Sequence, residues 1–294
     1  MTSGDSTFTT TAIPPPNFSG LVAAYGFNEN SGTSATDASG NSNTGTISGA
    51  TWTTQGKFGN ALSFDGSTNW VAVNDSNSLD LTAGMTLEAW VNPAALSGGS
   101  SGWRTVILKQ QTSDLVYALY GNTDQNRPSG YVYVGGELDT AGTAQLPLNS
   151  WTHLATTYDG SALRLFVNGV QVSNRAVSGN IAQSSSPLRI GGNSVWGEYF
   201  SGLIDEVRVY NRALSQTEIQ ADMSTAVTTG APPSGNGCDV NGDGTTNAVD
   251  LQAVINAILS ASSSASYDIN RDGVVNVLDL QLLSNVILGV GVCP

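Results

Sequence analysis

Apolar and polar residues alternate with a period of two through most of the chain, in short runs cut off by Gly, Asn, Ser and Pro. Between Asn17 and Val227 these runs include LVAAYGF, ALSFDG, WVAV, MTLEAWVN, TVILKQ, YVYVG, WTHLATTYD, LRLFVNGV, LRIGG and LIDEVRVYN. Each suits one strand and is too short for a helix. Ten or more such strands bury one face each when two sheets close on each other, so the pattern predicts a β-sandwich or jelly roll. One short helix is expected after the last strand, over TEIQADM, with Ser215 as N-cap and Glu218 completing a capping box.

Near the C-terminus the period becomes helical. Leu251, Val254, Ile255, Ile258 and Leu259 mark one apolar face, and Leu280, Leu283, Val286, Ile287 and Leu288 a second. Both helices follow the same loop. DVNGDGTTNAVDLQAVINAIL aligns with DINRDGVVNVLDLQLLSNVIL at an offset of 29 residues, with the spacing D-x-N-x-D-G-x-x-N-x-x-D. Calcium takes six to eight oxygens, and an EF-hand-type loop supplies them from positions 1, 3, 5, 7, 9 and 12. The first loop offers Asp239, Asn241, Asp243, the carbonyl of Thr245, Asn247 and Asp250. The second offers Asp268, Asn270, Asp272, the carbonyl of Val274, Asn276 and Asp279. Gly244 and Gly273 stand at position 6, where the loop turns sharply. All six acidic residues after Cys238 occupy positions 1, 5 or 12, which a merely solvated surface would not produce. No entering helix precedes either loop, so the unit is loop–helix.

Cys238 and Cys293 bracket this repeat and nothing else. A disulfide between them would close a loop of about 55 residues and stabilise by roughly 3 to 4 kcal/mol on the chain-entropy model. Two thiols in a reducing compartment are the alternative.

Composition narrows the partners. Ten basic residues and a net charge of −13 exclude binding to a nucleic-acid backbone. No run of 18 apolar residues exists, so no membrane span is expected. The opening residues lack a basic segment followed by an apolar one, so any export signal is absent or already removed. Four segments are expected: a Thr/Pro-rich tail at 1–17, a β domain at 18–227, a linker at 228–236, and the calcium-binding repeat at 237–294.

Tandem loop–helix calcium repeats joined by a short linker resemble a dockerin, whose family partner is a cohesin domain. The resemblance covers residues 237 to 294 and implies two bound Ca²⁺. In that family loop positions 10 and 11 help choose the cohesin; here they are Ala248 and Val249, then Val277 and Leu278. These depart from the Ser/Thr pair common in cellulose-degrading assemblies, and the helices carry no Lys or Arg. The resulting apolar face could meet a separate cohesin-like partner, another copy, or the chain's own β domain.

The ordered motifs LVAAYGFNE, DASGNSNTGT, ALSFDG, MTLEAWV, WTHLATTYDG, LRLFVNG and GLIDEVRVYNRALS resemble the laminin-G-like family. That resemblance implies a mainly β, two-sheet concanavalin A-like jelly roll over residues 18 to 226, followed by the small α module. It also implies one further calcium near the D-x-S-G-N motif and the I-D-E-V strand, with Asp37, Asn43 and Asp205 as ligands.

Catalysis finds no carrier. The carboxylate pattern used by glycosidases of this fold, E-x-D-x-x-E, is met at Glu137 and Asp139 but fails at Gly142. Asp205 and Glu206 are adjacent on a strand and would face opposite ways. The one histidine, His153, sits in a strand pattern without a nucleophile motif. Sugar stacking is the better-supported chemistry, with Trp103, Tyr131, Tyr133, Trp196 and Tyr199 as candidates, whereas Trp90 and Trp151 read as core. The sequence therefore points to a secreted, non-catalytic adhesion or carbohydrate-recognition protein attached through its calcium module. The alternatives are a structural subunit of an extracellular fibre or surface layer and, behind it, a glycoside hydrolase.

Overall fold

The computed structural model describes residues 18–96, 102–227, 238–240, 246–259, 267–270, 272–291 and 293. The tail at 1–17, the linker at 228–236 and the proposed ligands Asn241, Asp243 and Thr245 lie outside the described residues.

Among the described residues sixteen strands follow in chain order: β1 (Leu21–Tyr25), β2 (Ser34–Ala35), β3 (Gly45–Ser48), β4 (Thr51–Thr53), β5 (Ala61–Asp65), β6 (Trp70–Val73), β7 (Met85–Ala95) and β8 (Arg104–Gln111). Then come β9 (Asp114–Asn122), β10 (Ser129–Tyr133), β11 (Glu137–Ala141), β12 (Thr152–Tyr158), β13 (Ala162–Val167), β14 (Val170–Ala176), β15 (Leu188–Ile190) and β16 (Ser201–Tyr210). All pairs are antiparallel. The first sheet runs β14-β13-β12-β7-β16-β5-β4, with β1 also on β16; the second runs β11-β10-β9-β8-β15-β6-β3-β2. Every run read as a strand from its alternation is one. Strands β2, β3, β4, β9, β11 and β14 are not among those runs: β2, β3 and β4 are only two to four residues long, β9 is buried on both faces and does not alternate, and polar residues break up β11 and β14.

The core fills the space between the sheets. Met85, Leu87, Ala89 and Val91 of β7 and Ile204, Val207 and Val209 of β16 face Val106, Ile107, Tyr117 and Leu119 of the second sheet. Burial on this scale, at about 25 cal/mol per Å² of apolar surface, outweighs any single polar contact discussed below. Buried tyrosines find partners for their hydroxyls, as Tyr117 does on Leu79 O at 2.9 Å.

Helix α1 (Gln216–Met223) begins at the expected capping box, Ser215 with Glu218. It packs on the outside of the first sheet, where Ile219 and Leu214 join Phe166, Ala155 and Tyr210. Both faces of β7 are consequently buried, the outer one carrying Thr86, Glu88 and Trp90. Trp90 is buried as expected, though beneath α1 rather than between the sheets, while Trp151 is only half-buried.

Helices α2 (Ala248–Leu259) and α3 (Val277–Ile287) each start two residues earlier than the acidic starts read from sequence, so Asp250 and Asp279 occupy the first turn. Val254, Ile269 and Leu283 close a small core with Cys238. Leu259 and Leu288, expected on the apolar faces, are 81% and 71% exposed, because the helical stripe leaves the contact at the last turn. Cys238 and Cys293 form a disulfide, their Cα atoms 5.9 Å apart. Among the described residues no helix is long and apolar enough to cross a membrane.

Candidate functional site

The second calcium loop is organised around its carboxylates. Asp268 accepts the N–H of Asp272 (3.1 Å) and Gly273 (2.8 Å), and Asp272 accepts that of Val274 (2.9 Å). Asp279, fully buried, reaches across the loop to the N–H of Asn270 (3.0 Å) and Asn276 (2.9 Å). Asn276 caps α3 in return by accepting from Leu278 N at 2.7 Å. Gly273 has φ +89°, the left-handed conformation that position 6 requires. The first loop keeps the same wiring where it is described: Asn247 N donates to Asp250 at 2.9 Å, and Val249 N to Asn247 at 2.7 Å.

Asp239, Asp250 and Asp279 are 3%, 0% and 0% exposed in a module whose sequence holds one basic residue, Arg271. Carboxylates buried without cations need a positive charge or several donors. A carboxylate offers about four lone-pair sites, and the two amides on Asp279 occupy two of them. The donor set, hard oxygens at a repeated spacing, fits calcium. Among the described residues no three acidic, histidine or cysteine side chains are gathered into one cage. The first loop is only partly described, and in the second the carboxylates are folded onto their own loop's amides. Ala248, Val249, Val277 and Leu278 all lie exposed in the first turns of α2 and α3.

The residues expected to hold a third calcium are differently engaged. Asp37 accepts from Ala24 N, Ser39 N, Ser39 Oγ and Asn43 N at 2.8–2.9 Å. The Asn43 side chain joins Val22 O, Ser78 and Ser76. Asp205 belongs to another cluster, where it accepts from Lys57 N (2.8 Å), Phe58 N (3.1 Å) and Glu206 N (2.8 Å). Asp37 and Asn43 share one turn and Asp205 stands in another cluster, so the structure does not bring the three together.

An aromatic site lies on the outer face of the second sheet. In register across it stand Arg189, Leu108, Ala118, Tyr131 and Asp139, one from each of β15, β8, β9, β10 and β11. Trp103 folds over this row. Its ring meets Tyr120 edge-on at 5.0 Å and Tyr131 at 6.0 Å, and Tyr120 meets Tyr131 at 5.5 Å. Leu108, Leu115 and Ala118 floor the cluster. Beside it Trp70 stacks on Tyr199 at 5.9 Å, and the Arg189 guanidinium lies 4.6 Å over Trp70.

The loop from Asn193 to Tyr199 joins the two groups. It leaves β15 at Gly191, whose φ is +80° and where a Cβ would stand 2.1 Å from the Phe64 ring, so only glycine makes the exit. Glu198 accepts from the Tyr120 hydroxyl (3.0 Å) and from Asn193 Nδ2 (2.8 Å). Burial raises its carboxyl above the usual range while those two donors pull it back. Glu137 and Asp114, at the starts of β11 and β9, share a hydrogen bond that lifts Glu137 to about 7.

Of the aromatic candidates named from sequence, Trp103 and Tyr131 come together, and Trp196, 41% exposed, and Tyr199 share the loop. Trp70, Tyr120, Arg189, Asn193 and Glu198 were missed; Tyr120 lies in the overlooked β9, and Glu198 carries no local motif.

A second polar cluster is sealed beneath α1. Glu88, His153, Glu206, Arg208 and Asp222 are all buried. His153 lies 3.8 Å from Glu88, and Arg208 lies 3.9 Å from Glu88 and 3.4 Å from Glu206. Burial lowers His153 to about 3 and raises Glu206 to about 8 and Asp205 to about 7. His153 is therefore neutral, packed edge-on against Trp90 at 5.3 Å, a structural histidine as expected. A polar cleft of about 490 Å³ opens elsewhere on the first sheet, lined by Ser63, Asp65, Asn92, Asn149 and Ser201 among others. Its one aromatic, Phe64, belongs to the core, so it offers no stacking surface.

Comparison with known proteins places these features. A family model described as the concanavalin A-like lectin/glucanases superfamily, of the laminin-G type, matches residues 65–220, and a dockerin type I model matches residues 236–288. Dockerin type I domains bind calcium and cohesins. Mouse pappalysin-1 is 35% identical over 80 residues, 26% of this chain and 5% of that protein. Human pappalysin-1 is 29% identical over 164 residues, 48% of this chain and 10% of that protein. The chain thus spans a tenth or less of these relatives.

Among solved structures, domain 4 of the extracellular arabinanase AbnA from Geobacillus stearothermophilus, in complex with arabinotriose, is similar at TM-score 0.58 and 24% identity, covering 70% of this chain and 98% of that one. The binding domain of Paraclostridial Mosquitocidal Protein 1 gives 0.56 at 15%, covering 69% and 51%. Trypanosoma rangeli sialidase gives 0.54 at 17%, covering 72% and 33%. At these identities the likeness is one of fold.

Proposed function

From a chain that belongs to the concanavalin A-like lectin/glucanases superfamily and carries a dockerin type I domain behind it, we propose an extracellular, non-catalytic glycan-recognition protein with a calcium-dependent attachment module. Residues 18–227 form the recognition domain and 237–294 the attachment domain. Glycan binds the outer face of the second sheet. The observation that carries this reading is the Trp103–Tyr120–Tyr131 cluster, with centroids 5.0–6.0 Å apart, around a carboxylate held by Tyr120. A sugar ring has an apolar face that stacks on an aromatic ring and a rim of hydroxyls that donate to carboxylates, and this surface supplies both.

In the attachment domain, Asp239, Asn241, Asp243, Thr245, Asn247 and Asp250 hold one Ca²⁺. Asp268, Asn270, Asp272, Val274, Asn276 and Asp279 hold the other. Bound calcium supplies the positive charge that ties each loop to the helix behind it. Ala248, Val249, Val277 and Leu278 then meet a cohesin-type partner. The alternative is self-association into a fibre or surface layer, favoured by the exposure of Val277 at 64% and Leu278 at 59%.

A glycan array probed with the full chain tests the recognition reading. Tyr131→Ala should lower binding about tenfold or more, within the ~1–3 kcal/mol typical of an aromatic stacking contact. Binding to no glycan, or binding indifferent to both Trp103→Ala and Tyr131→Ala, would sink it. Light scattering with and without calcium separates the alternative, which requires oligomers in the absence of any cohesin.

A further inference from the structure

The glycan reading names no sugar, and the geometry around Glu198 narrows the choice. Two aromatic platforms stand side by side, Trp103 with Tyr131 and Trp70 with Tyr199. One guanidinium holds them together: Arg104 Nη1 donates to Trp103 O at 3.1 Å and to Tyr199 O at 3.2 Å. Glu198 immediately precedes Tyr199, so its carboxylate lies at the junction.

Glu198 as a residue is only 8% exposed, and a single carboxylate oxygen, Oε2, receives both the Tyr120 hydroxyl and the Asn193 amide. The other oxygen, Oε1, accepts no hydrogen bond among the described residues. A carboxylate stripped of most of its water with one oxygen unused is an acceptor awaiting a donor. Sugar hydroxyls are such donors. A sugar carboxylate or sulfate is not, and it would bring a second negative charge into a poorly screened place. The charges that act on Tyr120 and Tyr131 are carboxylates as well, Glu198, Glu137, Asp139 and Asp124. Of the cations nearby, Arg104 is turned to carbonyls, Arg175 to Asp139 at 2.9 Å, and Arg189 lies on Trp70.

We propose that this face takes a neutral oligosaccharide of at least two units, one over Trp103 and Tyr131 and the next toward Trp70 and Tyr199. Glu198 Oε1 accepts a hydroxyl at their junction and thereby excludes acidic glycans. The proposal rests on the glycan reading above. Its first consequence is length dependence, because a monosaccharide covers one platform. Its second is selectivity by charge.

Calorimetry on the full chain tests both, using xylotriose, cellotriose and arabinotriose as neutral probes, trigalacturonate as the acidic one, and the matching monosaccharides. At least one neutral trisaccharide should bind tenfold or more tighter than its monosaccharide, and trigalacturonate should not bind. Glu198→Gln preserves the shape and can still accept from Tyr120, but turns a neutral amide toward the sugar. It should weaken the neutral trisaccharide about tenfold and shrink the neutral-to-acidic preference by a similar factor, whereas a merely structural Glu198 would leave that ratio unchanged. The wild-type comparison needs no variant to fold. Trigalacturonate binding as well as the neutral probes, a monosaccharide matching its trisaccharide, or an unchanged ratio in Glu198→Gln would each overturn this proposal while leaving glycan recognition standing. Failure of every sugar to bind would remove both.

Discussion

Glu206 occupies a bulge in β16, with φ +54° and a register shift between Asp205 and Arg208. The bulge lets neighbouring carboxyls serve different partners: Asp205 takes the amides of Lys57 and Phe58, while Glu206 accepts from Val227 N and Arg208. The expectation that they would face opposite ways is not met: between the core-facing Ile204 and Val207 the bulge leaves both on the outer face, Asp205 opposite Trp90 and Glu206 beside Arg208. Both acids are raised by burial, to about 7 and about 8, far above their values in an unfolded chain. The folded protein therefore holds protons that the unfolded chain has released. That stabilisation is complete below about pH 4 and is lost as pH rises through 7 and 8. Asp65, Asp159 and Glu218 act oppositely, their hydrogen bonds holding them below the usual range, so stability also falls in strong acid. The thermal midpoint of the β domain, followed by tryptophan fluorescence, should drop by roughly 10 °C or more between pH 5.5 and 8.5, given ~2–4 °C per kcal/mol at this size. Glu206→Gln, which keeps an oxygen for Val227 N, should flatten much of that slope. A slope unchanged in the variant would remove Glu206 from the account.

Among the elements, α3 depends on one residue in two ways. Asp279 completes the capping box with Asn276 and also closes the loop by taking Asn270 N. Asp279→Ala removes a cap contact of about 1 kcal/mol and the position-12 ligand together. Calcium stoichiometry measured by calorimetry should fall from two ions per chain to one, with loss of part of the helical circular dichroism. Two tight ions in the variant would contradict the ligand assignment. The repeat spacing made this module legible before any coordinates, because metal ligation fixes residue types at set intervals. Strand periodicity made the sandwich legible in the same way. It hid the environment of β7, β12 and β16, whose outward Glu88, His153 and Arg208 look solvated in sequence yet lie under α1. The glycan face was only half legible, since Trp103 and Tyr131 are 28 positions apart and Glu198 joins them through tertiary contacts alone. The calcium expected at Asp37, Asn43 and Asp205 rested on resemblance, and the structure places Asp205 in a different cluster from the other two.

At the scale of the molecule, recognition and attachment use different physics. The β domain rests on an apolar core between two sheets. The C-terminal module has, among the described residues, a core of four buried residues, with a disulfide and its calcium loops. Small units of this kind need such covalent or metal support, because too little surface is buried to offset chain entropy. A net charge of −13 adds repulsion that bound calcium relieves locally. The residues also separate the two signals. All six tryptophans, Trp52, Trp70, Trp90, Trp103, Trp151 and Trp196, lie in the β domain, whereas α2 and α3 hold 12 and 11 helical residues against 8 in α1.

Chelation of the full chain, followed at once by far-ultraviolet circular dichroism and tryptophan emission, therefore tests most directly whether one protein carries two separately stabilised modules. Removing calcium with EDTA should abolish most of the helical signal and leave the tryptophan spectrum and its thermal midpoint unchanged, and restored calcium should return the helix. Helical signal indifferent to EDTA, or tryptophan emission that moves with it, would contradict the account.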